Sequence, residues 1–162
     1  MIVEIKRSHI IKTLLDTTEP LTWGTFGTLS AKAEKDWNLD QDNTDDARKS
    51  VSALKENCQT CAVGCVIRSI LSPDCSVLDM SHIANYTSCY RPSMSYMYSL
   101  EKFFEGEFTS SRYSNKDGSP NMRCRRRLVR FVENKFPVWV PVDVNGLVAE
   151  KLTKAKVIRI QK

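Results

Sequence analysis

Histidine is almost missing from this chain: two in 162 residues, His9 and His82. That scarcity excludes metal catalysis built on several imidazoles. No Gly-x-Gly-x-x-Gly, Walker-type phosphate loop, Gly-x-Ser-x-Gly or His-Glu-x-x-His occurs. The dinucleotide-loop, serine-hydrolase and zinc-protease signatures are therefore absent. No apolar run approaches the roughly 20 residues that span a bilayer, so no membrane partner is expected. The opening MIVEIKRSHIIK carries charges where a secretory signal needs its apolar stretch, and it predicts a chain that is not exported. Asn85-Tyr86-Thr87 matches a glycosylation acceptor, which has no meaning without export. Internal repeats and low-complexity tracts are lacking too.

What is present is ordinary for a folded chain, with 41% hydrophobic and 27% charged residues. Its length predicts a single domain with a sizeable core. Six cysteines without an export signal predict free thiols in a reducing, cytoplasmic compartment. The net charge of +5 hides a split. Residues 1–111 carry 11 Lys/Arg against 15 Asp/Glu, whereas residues 112–162 carry 13 against 4. A basic C-terminal third of this kind hints at nucleic acid or an acidic partner.

Periodicity predicts a mostly helical α+β domain with a small C-terminal sheet. Residues 1–108 read as mainly helical and acidic, 109–120 as a flexible loop, and 121–162 as a basic helix plus strands. Ile10, Ile11, Leu14 and Leu15 place an amphipathic helix over Val3–Leu15, ended by Pro20. LTWGTFGTL reads as a strand or ordered loop. The acidic run 34–46 fails as a calcium loop, because neither register puts glycine at position 6 or glutamate at 12. Thr44 instead caps a helix carrying Ala47, Val51 and Leu54. Further helices are expected at 59–71, near 76–85 and at 93–108, the last with Met94, Met97, Leu100, Phe103 and Phe104 on one side. Asn121 caps a basic helix that stops before Pro137. VWVPVDV alternates as an edge strand, since its proline cannot donate to a ladder, and KVIRIQK closes as a second strand.

Within the first 71 residues, Leu14-Leu15, Trp23-Gly24-Thr25-Phe26, the acidic insert and Cys61-Ala62-Val63-Gly64-Cys65 follow one another. This layout resembles a group of small uncharacterised bacterial and phage proteins: a helix, a Trp-Gly-x-Phe, a variable insert, then a Cys-Ala-(aliphatic)-Gly turn opening a helix. The resemblance implies a helical core and a phage or bacterial setting, hence the host cytoplasm if phage-encoded. It implies no activity, and residues 72–162 do not follow it.

Three chemistries compete. The basic helix places Arg123, Arg126, Arg127 and Arg130 on one face by i, i+3, i+4, i+7 spacing, with Arg112 and Lys116 in the preceding loop. A row of guanidiniums suits phosphates, through bidentate hydrogen bonds and counterion release. The favoured reading is therefore a non-enzymatic accessory protein binding nucleic acid, a nucleotide-like ligand or an acidic host protein. The blander reading pairs the row with the acidic 34–46 loop of the same molecule. The alternative is a cysteine-dependent hydrolase or transferase. In it Cys61 gains thiolate character at a helix N-terminus, beside His82 and Asp79. The third reading is a structural zinc held by Cys58, Cys61, Cys75 and His82. Only one of the two tight ligand pairs that zinc modules use is present, and no cofactor is expected. Packing is the expected role of Val63, Val66, Ile67 and Ile70 around the cysteines.

Overall fold

The computed structural model describes residues 1–16, 18, 21, 28–29, 58–75, 83–84, 95–107, 115, 119–144, 150–152 and 156–160. The acidic loop, the Trp-Gly-x-Phe stretch and the helix expected at 44–57 lie outside them, as does most of 76–85.

The chain adopts a mostly helical α+β fold, but its sheet is not confined to the C-terminal part. Strand β1 (Ile2–Lys6) runs directly into helix α1 (Arg7–Leu15). A single helix over Val3–Leu15 is thus corrected: its first turn is strand. Val3 and Ile5 alternate inward with no exposure, the period-2 pattern of a half-buried strand. Two later strands, β4 (Trp139–Asp143) and β5 (Ile158–Ile160), pair antiparallel on either side, in the order β4-β1-β5. The register sets Val3 against both Val142 and Ile160. Pro141 lies in the edge strand β4, where a missing N–H is tolerated. A two-residue pair, β2 (Thr28–Leu29) with β3 (Cys58–Gln59), forms a second small sheet.

Helices α2 (Ala62–Ile70), α3 (Tyr96–Glu107) and α4 (Met122–Lys135) complete the described elements. Every residue of α2 except Ser69 is buried. A helix buried on nearly every side is a core helix even though it carries Arg68, and Val63, Val66, Ile67 and Ile70 pack as expected. From α3, Met97, Leu100 and Phe104 enter the same core, where they meet Ile5, Ile10, Leu14 and Leu128. Met94 lies outside the described residues.

Helix α4 begins as its sequence predicts. The Asn121 side chain accepts hydrogen bonds from the backbone N–H groups of Arg123 (3.1 Å) and Cys124 (3.3 Å), satisfying two otherwise orphaned donors. Asn121→Ala is expected to cost about 1 kcal/mol, read as a lower urea midpoint at unchanged slope.

Helices α1 and α4 clamp each other's ends. Arg7, at the start of α1, donates through Nη1 to the carbonyls of Phe136 (2.8 Å) and Glu133 (3.3 Å) at the end of α4. Arg125, in the first turn of α4, donates to the carbonyls of Leu14 (3.1 Å) and Asp16 (2.6 Å) at the end of α1. The two helices are therefore antiparallel, with a guanidinium at each C-terminus where the dipole favours positive charge.

Candidate functional site

The arginine cluster divides in two. Arg123, Arg126, Arg127 and Arg130 are all exposed, on the face that the i, i+3, i+4, i+7 spacing predicts. Leu128, Val129 and Val132 fill the opposite side of α4, and Phe131 packs against the core's edge. Arg125 does not join the row. It is 2% exposed, and burial lowers its pKa from the ordinary arginine value. Its sequence position allowed this to be read: Arg125 stands three, four and seven residues before Leu128, Val129 and Val132, on the apolar stripe. Arg112 and Lys116 lie outside the described residues, so the structure brings together four of the six expected basic residues.

Beside this row, α3 and α4 form an aromatic groove that the sequence reading missed. The rings of Phe103 and Phe131 stack with centroids 4.3 Å apart and an interplanar angle of 11°. Phe136 meets Phe131 edge-on at 5.9 Å, and Tyr96 meets Phe136 at 5.1 Å. Two cavities adjoin the stack. One, of about 600 Å³, is walled by Tyr98, Phe103, Phe131 and Phe136 with Lys102 and Lys135. The other, of about 310 Å³, shares Phe103, Phe131 and Lys135 and adds Arg127, Arg130 and Asn134. On α4 these are positions 127, 130, 131, 134 and 135, a helical face that continues the arginine row towards the C-terminus. That spacing was the available signal.

The cysteine-rich stretch has a different character. Cys61 is the N-cap of α2, and its sulfur accepts from the Gly64 N–H at 3.4 Å. It is fully buried. Burial, with the Glu101 carboxyl beside it, pushes the thiol's pKa well above the ordinary cysteine value. The helix N-terminus alone acts in the opposite sense and is outweighed here. Glu101 reaches across from α3. Its carboxyl accepts from the Cys61 thiol and from the Val63 N–H, so a side chain of α3 caps the preceding helix α2. Desolvation raises its pKa to about 7, and among the described residues its Oε2 has no hydrogen-bond partner. The sequence reading passed over Glu101, although it lies four residues after Met97 and three before Phe104, on α3's buried face.

The remaining candidates are dispersed. His82 and Asp79 lie outside the described residues, as does the side chain of Cys58. Cys61 and Cys75 sit beyond opposite ends of α2, which at 1.5 Å per residue is about 13 Å long. That span is too great for one metal ion to hold both sulfurs. The Cys75 thiol donates to the Lys151 carbonyl at 3.4 Å. Among the described residues no group of three His, Cys, Asp or Glu side chains is placed to hold a metal ion, and Cys61, Cys65, Cys75 and Cys124 are free thiols. His9 is engaged with Ser69 at 2.9 Å. Because the Ser69 hydroxyl donates to the Val66 carbonyl at 2.6 Å, His9 Nε2 is the donor of that pair.

Comparison with known proteins adds nothing to this geometry. No family model, curated protein or solved structure matches the chain. The reading of its function therefore rests on its own residues.

Proposed function

We propose that this is a small cytoplasmic accessory protein of bacterial or phage origin that binds nucleic acid and performs no chemistry on it. One observation carries the reading: four arginines stand exposed along one face of α4 while their neighbour Arg125 is drawn inward to cap α1. Among the described residues, Arg123, Arg126 and Arg130 have no carboxylate partner. Guanidiniums held side by side without internal neutralisation gain most from phosphate oxygens, which they meet bidentately while counterions are released. The four free thiols suit a reducing compartment. Among the described residues no helix is long and apolar enough to cross a membrane.

Titration of a labelled oligonucleotide at several salt concentrations tests the reading. A row contacting about four phosphates of a single strand gives a log–log slope near −3. Arg126→Glu combined with Arg130→Glu is expected to weaken binding at least about tenfold and to flatten that slope. Absent or salt-insensitive binding by the unaltered protein would overturn the proposal.

A further inference from the structure

We infer that the groove between α3 and α4 is a stacking subsite for an unpaired base, so that the preferred ligand is single-stranded nucleic acid. The inference rests on the arginine row engaging phosphates, and it names what that reading leaves open. A backbone tracking along Arg123, Arg126 and Arg130 passes the mouth of the smaller cavity, because Arg130 belongs to both. There its next substituent meets the aromatic walls of Phe103 and Phe131 alongside the cations. Phe103 and Phe131 line both cavities, and the larger one adds Tyr98 and Phe136. Neither stacked ring is fully buried, in contrast to Phe104, the neighbour of Phe103, which the core covers completely.

Cations from both helices stand among these rings: Lys102 from α3, and Arg127, Arg130 and Lys135 from α4. Lys102 Nζ stands 5.5 Å from the Tyr98 ring centroid and pairs with Glu105 Oε2 at 3.6 Å. Lys135 is common to both cavities. Aromatic platforms interleaved with basic side chains are how proteins hold single strands, the bases stacking while the backbone is neutralised. A duplex keeps its base faces stacked on one another and has none to offer a concave pocket. A purely acidic peptide such as poly-glutamate would satisfy the cations and leave the ring walls unused. The larger cavity falls within the 300–1,000 Å³ range of small-molecule sites, room for a base and its sugar.

The test compares probes of equal phosphate number: fluorescein-labelled oligo(dT), the abasic oligomer of the same length, and a duplex of half that length, with poly-glutamate as a competitor. Oligo(dT) is expected to bind about tenfold or more tightly than the abasic strand at the same salt. Phe103→Leu, which keeps the apolar volume but removes the ring, narrows that ratio towards parity. Tyr98→Leu does the same at the groove's rim and serves if the Phe103 variant fails to fold, as judged by thermal melting. Arg126→Glu weakens both strands and leaves the ratio in place. Equal binding of oligo(dT) and the abasic strand, or a ratio untouched by either leucine variant, overturns the stacking subsite and spares the phosphate reading. Duplex or poly-glutamate matching oligo(dT) also overturns it. Failure of every oligomer to bind in a salt-dependent way removes both.

Discussion

Arg125→Ala is expected to destabilise the protein by about 3 kcal/mol, whereas Arg126→Ala, one residue along, should change stability by less than about 0.5 kcal/mol. The contrast follows from where the two guanidiniums go. Arg125 is buried and supplies the hydrogen bonds that the Leu14 and Asp16 carbonyls accept. Those carbonyls end α1 and have lost their intrahelical partners. Removing the donor leaves acceptors beneath the surface, each uncompensated at about 1–3 kcal/mol. Part of the loss is offset, since a buried guanidinium is itself costly to desolvate. Arg125→Met separates the two effects: it keeps the stem's volume and removes the donors. Urea unfolding of both variants measures the outcome. A methionine variant as stable as the unaltered protein would show that Arg125 serves as filler and not as a cap.

The second large effect concerns pH. Glu101 is 6% exposed, and its pKa in the folded protein is raised to about 7 from an ordinary 4.5. Its causes are desolvation first, then the charge of Glu105, opposed by the hydrogen bonds from Cys61 and Val63. Between those two values the folded state keeps a proton that the unfolded state has released. Stability is then highest below about pH 4.5, falls as pH rises through 7, and levels off above it. A shift of this size corresponds to about 3 kcal/mol at most. Glu101→Gln preserves the shape and carries no titrating proton. The expected result is that the unaltered protein loses about 2.5 kcal/mol more than the variant between pH 5 and pH 8.5, read from urea midpoints. Parallel stability curves for the two proteins would contradict it.

These two residues also mark how far the sequence can be read. Helix α4 was open to inspection from end to end: Asn121 supplies its cap, the arginine spacing its outer face, and Pro137 its stop. Local chemistry decides each of those. The first strand was not legible for a nameable reason. Val3, Ile10 and Leu14 are spaced by seven and four, so they satisfy a helical period as well as any helix does. Ile5 alone breaks the pattern, and no glycine or proline marks the change at Arg7. What makes residues 2–6 a strand is pairing with β4 and β5, more than 130 residues further on, and such tertiary context overrides local preference. The groove was hidden for the same reason, since Phe103 and Phe131 come from different helices. Arg125 and Glu101 were legible in principle. Each charged residue sits on its helix's apolar stripe, a position that asks for a partner before it suggests a surface.

The cysteine stretch shows the same limit from the other side. Its small and apolar residues pack in the core as their pattern implies. Nothing within it announces that a carboxyl from α3 closes the N-terminus of α2. Cys61 is thereby tied to a buried acid, and its thiol keeps its proton.

The position of β1 has a consequence for how the molecule is made. Strand β1, at the centre of the sheet, leaves the ribosome more than 130 residues before either of its neighbours. Until residue 139 emerges, Val3 and Ile5 have no sheet partner among the described residues. The nascent chain therefore carries two open strand edges while the intervening residues are made. Pairing over such long separations is slow, and unpaired edges in the interval invite association between chains. Yield of this protein should accordingly fall with expression rate more steeply than its final stability would suggest.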